Sequence, residues 1–229
     1  RSGADKVPAE LEREFNELTG LVIDEGYGMT EAGLITLNPP SGTIKTGSVG
    51  CAVPGVSLSI RDDNQKQLGA DKAGRLWIRS DSLTTGYWDN QAATDELFVD
   101  GWMDTGDLMK ADADGYLRFC GRKKQIIVHD GSNISPQEVE EVLLEHAAVD
   151  NAAVIGVHDL MHGENVRAYV TLKEDISRPT PTELIRFARQ RIGYKAPDEI
   201  DYLDEMPLNA TGKVDRLSLK RLAEARHGV

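Results

Sequence analysis

The chain has 229 residues, of which 40% are hydrophobic and 28% are charged, so it can bury a substantial core. Its formal net charge of -12 excludes the broad positive field on which nonspecific nucleic-acid binding depends. The two cysteines, Cys51 and Cys120, lack the paired spacing of a zinc motif or a disulfide framework. No apolar run reaches the roughly 20 residues that a membrane-spanning helix needs. We therefore expect a folded cytoplasmic protein with no membrane span and no nucleic-acid partner.

The first segment has a pattern typical of an α/β unit. Leu11, Phe15 and Leu18 recur at helical spacing, and Gly20 predicts the end of that helix. The apolar run at residues 21–23 predicts a short buried strand. Glycines and polar residues follow it, as expected at a strand end where ligands sit in open α/β sheets. Because the chain starts in the middle of this pattern, we expect it to be a fragment.

The rest of the chain divides into a β-rich part and an α+β part. Short alternating apolar runs separated by turn residues predict a small β-barrel-like subdomain, followed by a charged connection. Strands and proline-opened helices then alternate over about a hundred residues, which indicates a compact α+β domain. The predicted architecture is thus a mixture of α/β and α+β domains. We place the end of a large domain at residues 1–36, the β-barrel-like subdomain at 37–121, a hinge at 122–124 and a small mobile domain at 125–229.

Four blocks of sequence carry the chemistry. They contain Tyr-Gly-Met-Thr-Glu, then Gly-Trp-Met-Asp-Thr-Gly-Asp-Leu, then Gly-Arg before a Gly-Ser-Asn-Ile-Ser-Pro run, and finally Pro-Leu-Asn-Ala-Thr-Gly-Lys-Val-Asp-Arg, at residues 27–31, 101–108, 121–140 and 207–216. In order and spacing, these blocks resemble the adenylate-forming superfamily of acyl-CoA synthetases, luciferases and peptide-synthetase adenylation domains. The resemblance covers essentially the whole chain, and its fatty acyl-CoA ligase-like pattern implies the C-terminal portion of such an enzyme.

The first block has side chains suited to a nucleotide and its metal. An aromatic ring such as Tyr27 can stack on a purine, and the oxygens of Thr30 and Glu31 suit a phosphate and its Mg²⁺. Taken alone, so short a block favours a structural turn with an exposed glutamate. The resemblance favours the first interpretation and implies a catalytic role for Thr30 and Glu31, with Glu31 as the metal ligand. It also implies that Gly26, Tyr27, Gly28 and Met29 belong to the nucleotide site, and that Gly26 and residues 29–34 form one wall of the acyl pocket.

Asp107 and Arg122 are the next candidates for nucleotide binding. A carboxylate at Asp107 can accept hydrogen bonds from both ribose hydroxyls, and the planar guanidinium of Arg122 can meet ribose or phosphate. By themselves the two residues would be an ordinary hairpin aspartate and a solvated linker charge. The resemblance implies the nucleotide-binding roles.

Lys213 is the candidate adenylation lysine. It follows Gly212 in a loop, where its ammonium can steady the negative charge that develops as a carboxylate attacks the α-phosphate. A lone Gly-Lys would be a surface loop, whereas the resemblance assigns this lysine to the first half-reaction. Lys124 aligns with the hinge residue about which the C-terminal domain of such enzymes turns.

Coenzyme A is implied less directly. Gly131 lies where the family needs a residue without a side chain beside the pantetheine path, and Lys195 can face either CoA phosphates or solvent. Asp130 stands where a second glycine is usual, and its charge would repel a polyphosphate. The five histidines have no catalytic or metal-binding spacing, so we expect loop or surface positions for His129, His146, His158, His162 and His227.

These observations imply an acid–thiol ligase that uses ATP, Mg²⁺ and CoA. The predicted reaction converts a carboxylic acid and ATP to an acyl-adenylate and pyrophosphate, and then to acyl-CoA and AMP, with a fatty acid as the first candidate substrate. The phosphate-gripping loop and most of the acyl pocket lie outside this sequence, so we expect the fragment alone to be inactive. Two alternatives remain open: loading of a carrier protein, and a non-catalytic nucleotide-binding homologue. The sequence does not indicate an oligomeric state.

Overall fold

A computed structural model describes residues 7, 9–39, 42–174 and 176–227. The chain forms two compact units, residues 1–124 and residues 125–229. The first unit combines helices with antiparallel sheets and the second combines helices with a mixed sheet, which confirms the mixed α/β class. Among the described residues, no helix is both long and apolar enough to cross a membrane.

The described residues of the first unit form two helices and eight strands. In chain order they are α1 (Ala9–Thr19), β1 (Gly26–Met29), β2 (Gly33–Leu37), β3 (Cys51–Ala52), β4 (Ser57–Arg61), β5 (Gly74–Arg79), α2 (Gln91–Leu97), β6 (Phe98–Val99), β7 (Trp102–Ala111) and β8 (Leu117–Arg122). Strands β1, β2 and β3 make a three-stranded antiparallel sheet. The other five strands form a second sheet in the order β4-β5-β7-β6, in which β8 also pairs with β7.

The strands of the second sheet do not close into the barrel that the sequence suggests. Strand β4 pairs only with β5 among the described strands, and the two-residue β6 shares one edge of β7 with β8. A barrel needs a hydrogen-bonded partner on both sides of every strand. The sheet therefore stays open, over a core that includes Leu76, Ile78, Met103 and Met109.

The segment at residues 21–23 is not the buried strand that its apolar residues predict. Leu21 and Val22 are exposed, and the backbone of Leu21 bonds to side chains of the preceding helix. Its amide donates to Thr19 Oγ1 at 3.2 Å, and its carbonyl accepts from Asn16 Nδ2 at 3.2 Å. Because a strand needs a backbone ladder, these local bonds leave the segment without a strand partner among the described residues.

The second unit begins within a short 3₁₀ turn, and the part of it that the structure describes forms three helices and five strands. After the turn Lys123–Gln125, which spans the boundary, these are β9 (Ile127–His129), β10 (Ser132–Ile134), α3 (Pro136–Leu144), β11 (Val149–Asp159), β12 (Gly163–Leu172), α4 (Pro181–Ile192) and, after a second 3₁₀ turn Gly193–Lys195, β13 (Glu199–Tyr202) and α5 (Arg216–His227). The sheet order is β10-β9-β12-β11, and β13 runs parallel to β12.

Both faces of this sheet are covered. Successive residues of a strand point to opposite faces, and β11 uses both faces because Val154 packs with α3 and α4 whereas Ile155 packs with α5. Helix α4 starts with a capping box between Thr180 and Glu183. Ser135 occupies the corresponding position before α3, but its side chain makes no capping hydrogen bond.

Candidate active site

Residues 26–33 form a tight hairpin. Strands β1 and β2 pair with a bulge between Tyr27 and Gly28, and the amide of Ala32 donates to the Met29 carbonyl at 3.1 Å to close the turn. A Cβ at Gly28 would lie 2.5 Å from the carbonyl oxygen of Gly33, so this position requires glycine. Thr30 is exposed in the turn and Glu31 is half-buried, so both side chains are accessible from the end of the hairpin.

A bulge in β7 determines the direction in which the Asp107 side chain projects. Arg75 pairs with Leu108 and Trp77 pairs with Asp104, so β7 has extra residues between these two pairs. Gly106 occupies the bulge with φ +71°, and the Thr105 hydroxyl donates to the Leu76 carbonyl at 2.9 Å. The main-chain amide of Asp107 then donates to Thr105 Oγ1 at 3.1 Å. The bulge therefore fixes the backbone from which the Asp107 carboxylate projects.

The structure brings together three residues that the sequence separates by up to 95 positions. The Tyr27 hydroxyl donates to Asp107 Oδ2 at 2.6 Å, and Arg122 Nε lies 3.2 Å from Asp107 Oδ1. The Asp107 side chain is only 5% exposed, whereas that of Arg122 is 58% exposed. A buried carboxylate needs such partners, and this one has a hydroxyl on one oxygen and a guanidinium on the other.

Tyr27 is held as a neutral hydrogen-bond donor. Burial raises the pKa of its hydroxyl far above the usual value, and the negative charge of Asp107 raises this pKa further. The aromatic ring is half-buried on the hairpin, so one residue supplies both a ring and a hydroxyl to the same place. That combination suits a purine nucleoside, in which an aromatic base is joined to a sugar with hydroxyl groups.

Glu31 has a partner that sequence analysis missed. The Tyr87 hydroxyl donates to Glu31 Oε1 at 2.8 Å, and this hydrogen bond raises the pKa of the Tyr87 hydroxyl. The Glu31 carbonyl also accepts from the Thr84 amide at 2.7 Å. Tyr87 lies 56 positions away in a loop, and no local pattern in the sequence connects the two residues.

The donor set on the hairpin fits a hard cation. Glu31 Oε2 makes no hydrogen bond to any described residue, and the exposed Thr30 offers a hydroxyl one position earlier. Carboxylate and hydroxyl oxygens are ligands that Mg²⁺ accepts, usually together with water and phosphate oxygens. The residues present therefore suit a partly hydrated Mg²⁺ that accompanies a nucleotide.

In the second unit, Asn209 organises the loop that carries Lys213. The Asn209 side-chain oxygen accepts from the amides of Thr211 at 2.9 Å and Lys213 at 3.1 Å, and the Asn209 amide donates to the Lys213 carbonyl at 2.7 Å. Gly212 adopts φ +78° between them. The Lys213 side chain is exposed at the end of this loop. An asparagine three residues before a glycine is a known turn signal, so the sequence contained enough information to find Asn209.

A buried ion pair fixes the base of the same loop. Arg216 donates through Nη1 to Glu140 Oε1 at 2.6 Å and through Nη2 to Glu140 Oε2 at 3.0 Å. Nη1 also donates to the Val154 carbonyl at 2.6 Å, which ties the start of α5 to α3 and β11. Both partners are mostly buried, and their bidentate geometry anchors the residue that follows the loop.

The other predicted residues lie apart from these contacts. Gly131 has φ +74°, and a Cβ there would meet no described atom within 4 Å, so its backbone conformation rather than close packing favours glycine. Lys195 Nζ contacts both carboxylate oxygens of Glu138, at 2.7 and 2.8 Å. Lys124 is the last residue of the first unit. Gly26 packs closely against β2, because a Cβ would lie 3.1 Å from the Thr36 carbonyl oxygen.

Comparison with known protein families identifies the family of the chain. The profile of the AMP-binding enzyme family matches residues 1–88, and that of the AMP-binding enzyme C-terminal domain matches residues 138–213. Together the two matches cover more than half of the chain. The chain belongs to the AMP-binding enzyme family. It corresponds to the C-terminal part of the family's enzymes.

Curated relatives and solved structures agree with this assignment. The chain is 40% identical over 220 residues to the long-chain-fatty-acid–CoA ligase of Yersinia pestis, covering 95% of this chain and 39% of that protein. It is 36% identical to the ligase of the same name from Bacillus subtilis, covering 100% of this chain and 41% of the relative. It thus spans about two fifths of these relatives.

The fold is also similar to that of solved family members. ATP-bound MatB from Rhodopseudomonas palustris superposes with a TM-score of 0.92 at 31% identity, covering 99% of this chain and 45% of that one. The anthranilate CoA ligase AuaEII, solved with anthranoyl-AMP, superposes with a TM-score of 0.88 at 33% identity, covering 100% of this chain and 45% of that one.

Proposed function

We propose that the chain is the C-terminal portion of an ATP-dependent carboxylate–CoA ligase. The observation that supports this most strongly is the buried Asp107 carboxylate, which is paired with the Tyr27 hydroxyl and faces the exposed guanidinium of Arg122. Maintaining a charged carboxylate in a buried position costs free energy, and a ribose-binding role gives that carboxylate a function. Membership of the AMP-binding enzyme family gives independent support.

In this proposal the first unit binds the nucleotide. Asp107 accepts hydrogen bonds from the ribose hydroxyls, and Arg122 contributes a positive charge beside the same sugar and its phosphate. The ring of Tyr27 stacks on the purine, and its neutral hydroxyl keeps the carboxylate oriented. Gly26, Gly28 and Met29 form the adjoining backbone wall.

Adenylation uses Thr30, Glu31 and Lys213. The substrate carboxylate attacks the α-phosphorus of ATP, a bond to pyrophosphate breaks, and negative charge grows on the phosphate oxygens. Lys213 stabilises that charge with its ammonium, while Thr30 binds a phosphate oxygen. Glu31 would hold Mg²⁺, which neutralises phosphate charge when it is bound.

The second half-reaction transfers the acyl group from the adenylate to the thiol of CoA, with AMP as the leaving group. Gly131 leaves open space beside its backbone, which supports a role along the path of the CoA arm. Lys195 forms an ion pair with Glu138, so its ammonium can contact a CoA phosphate only if this ion pair opens. The names of the curated relatives support a long-chain fatty acid as the substrate.

The test is ATP–pyrophosphate exchange by the full-length protein with a panel of carboxylic acids. We expect exchange to depend on one class of acid, with fatty acids the most active. Acyl transfer to free CoA and to a carrier-protein phosphopantetheine is then compared with the preferred acid. Transfer to the carrier protein alone would identify the alternative loading function, and the absence of exchange with every acid would contradict the enzymatic proposal.

A further inference from the structure

Two hairpin turns of the second unit bring two histidines and an aspartate together. His129 ends β9, Asp130 follows it in the turn to β10, and His162 lies in the turn between β11 and β12. The Asp130 amide donates to the His162 carbonyl at 2.9 Å, so the two turns are joined through their backbones. The 33 positions between the histidines explain why sequence spacing gave no sign of the cluster.

The orientation of the His129 ring is set by a carbonyl. His129 Nδ1 lies 2.7 Å from the Glu164 carbonyl oxygen, which can only accept, so Nδ1 carries the proton. In the neutral ring, Nε2 then has a free lone pair. A carbonyl or carboxylate behind one ring nitrogen is the usual support of a metal-binding histidine, because it fixes the tautomer and the ring direction.

The remaining atoms of the cluster converge. His129 Nε2 is 3.6 Å from Asp130 Oδ2, and His162 Nδ1 donates a hydrogen bond to Asp130 Oδ1 at 2.9 Å. A divalent ion bound here would take the place of that proton, which would be released to solvent. One ligand atom from each of the three residues lies within 4.8 Å of the others. The two imidazole rings stack with centroids 5.2 Å apart. In the neutral form, the His129 lone pair and a carboxylate face each other across a gap too long for a hydrogen bond, an arrangement that a cation would stabilise.

The turn that carries His162 is well ordered by hydrogen bonds. Asp159 Oδ1 accepts from the amides of Met161 at 2.8 Å and His162 at 2.9 Å. Asp130 has φ +48°, a left-handed conformation that is uncommon outside glycine and to which aspartate is better suited than most residues. The chain thus places a carboxylate at a position where its backbone would favour glycine.

We propose that His129, Asp130 and His162 form a binding site for a divalent transition-metal ion, with Zn²⁺ as the first candidate. Two imidazole nitrogens and one carboxylate oxygen are ligands that Zn²⁺ prefers, and a water molecule would complete a tetrahedral set. The ion would clamp the β9–β10 turn to the β11–β12 turn. The site uses none of the residues assigned to the nucleotide or its Mg²⁺.

Zn²⁺ binding to the untagged full-length protein tests this proposal, measured by calorimetry in excess Mg²⁺. Because Mg²⁺ prefers oxygen ligands, it binds at the proposed Mg²⁺ site of Thr30 and Glu31 and does not compete for imidazole. We expect one equivalent of Zn²⁺ that is lost or weakened by more than about tenfold in His129→Ala, Asp130→Gly and His162→Ala. Binding of Co²⁺ should give a visible absorption spectrum that the same variants lack.

The variants separate metal binding from folding. Asp130→Gly removes a ligand and relieves the left-handed backbone, so the variant should fold at least as well as the wild type while it loses the ion. His158→Ala removes an exposed histidine outside the cluster and should bind Zn²⁺ like the wild type. The proposal is overturned if the wild type binds no stoichiometric Zn²⁺, or if the three cluster variants bind it as the wild type does.

Discussion

The Tyr27 hydroxyl is buried against a carboxylate, so the free energy of unfolding depends on whether this hydroxyl is protonated. Ionisation would place two negative charges 2.6 Å apart, so the folded state holds the proton to a pH well above the ordinary tyrosine value of about 10. A group whose pKa is raised on folding contributes stability that is fully present below its unfolded pKa. That contribution is lost as the pH rises above about 10.

Tyr27→Phe should therefore change the pH dependence of unfolding. At neutral pH we expect a loss of about 2 kcal/mol, because a hydrogen bond to a charged group is removed. As the pH rises above about 10, the wild type should lose more stability than the variant. Urea unfolding of the full-length protein at several pH values measures both effects. Parallel pH profiles for the two proteins would show that Tyr27 is not the buried donor described here.

Tyr87 gives a second prediction for a single residue. Since its hydroxyl donates to Glu31 Oε1, Tyr87→Phe should leave the proposed Mg²⁺ ligand less well oriented. We expect the half-saturating Mg²⁺ concentration for ATP–pyrophosphate exchange to rise by roughly threefold to tenfold. Tyr194→Phe is the matched control, because Tyr194 is exposed in the other unit. An unchanged Mg²⁺ dependence in Tyr87→Phe would remove Tyr87 from the site.

Among the elements, the β1–β2 hairpin depends on the absence of one side chain. Gly28→Ala would place a Cβ 2.5 Å from a backbone oxygen, and the hairpin must distort to accept it. We expect a loss of about 2 kcal/mol in the free energy of unfolding, together with weaker ATP binding. Thermal unfolding and calorimetric ATP titration measure the two effects.

Gly69→Ala is the control for this substitution. A Cβ at Gly69 meets no described atom within 4 Å, so this variant should unfold and bind ATP like the wild type. Equal behaviour of the two variants would mean that the hairpin tolerates a side chain at Gly28 and that its tight backbone contact is not needed.

The sequence predicts most elements because their signals are local. Proline at the first position of α3 and α4, glycine after α1 and alternating apolar residues in β4 and β12 all act within a few positions. Residues 21–23 show the limit of such signals, since an apolar run becomes a strand only where another strand pairs with it. The barrel prediction was wrong for the same reason, because closure of a sheet depends on pairing between strands that are distant in the sequence.

For the candidate site too, the sequence identifies the residues but not the contacts between them. Each proposed nucleotide residue lies in a block that the sequence identifies, but the contact between Tyr27 and Asp107 joins positions 80 apart. Tyr87 and the pairing of Lys195 with Glu138 could not be read from spacing, because neither involves neighbours in the chain. Asn209 could have been found from its turn pattern.

For the whole molecule, Lys124 is predicted to act as a hinge between half-reactions. Proline fixes φ, so Lys124→Pro should block the backbone rotation that such a role requires. We expect ATP–pyrophosphate exchange to stay within about threefold of the wild type while acyl-CoA formation falls by more than about 100-fold. Lys124→Ala should retain both activities. Equal loss of the two activities in Lys124→Pro would argue against a hinge.

Lys213 is the residue proposed to promote adenylation. Its loop is held by Asn209 and by the ion pair between Arg216 and Glu140, so replacing the exposed side chain should leave the fold intact. Lys173, another exposed lysine of the same unit, provides a control for loss of charge. Thermal unfolding of each variant verifies that the protein is folded.

The most direct measurement compares both half-reactions in the full-length wild type, Lys213→Ala and Lys173→Ala. We predict that Lys213→Ala lowers ATP–pyrophosphate exchange by more than about 100-fold and still converts a synthetic acyl-adenylate and CoA to acyl-CoA. Lys173→Ala should match the wild type in both assays. ATP–pyrophosphate exchange by Lys213→Ala at the wild-type rate would show that Lys213 does not promote adenylation.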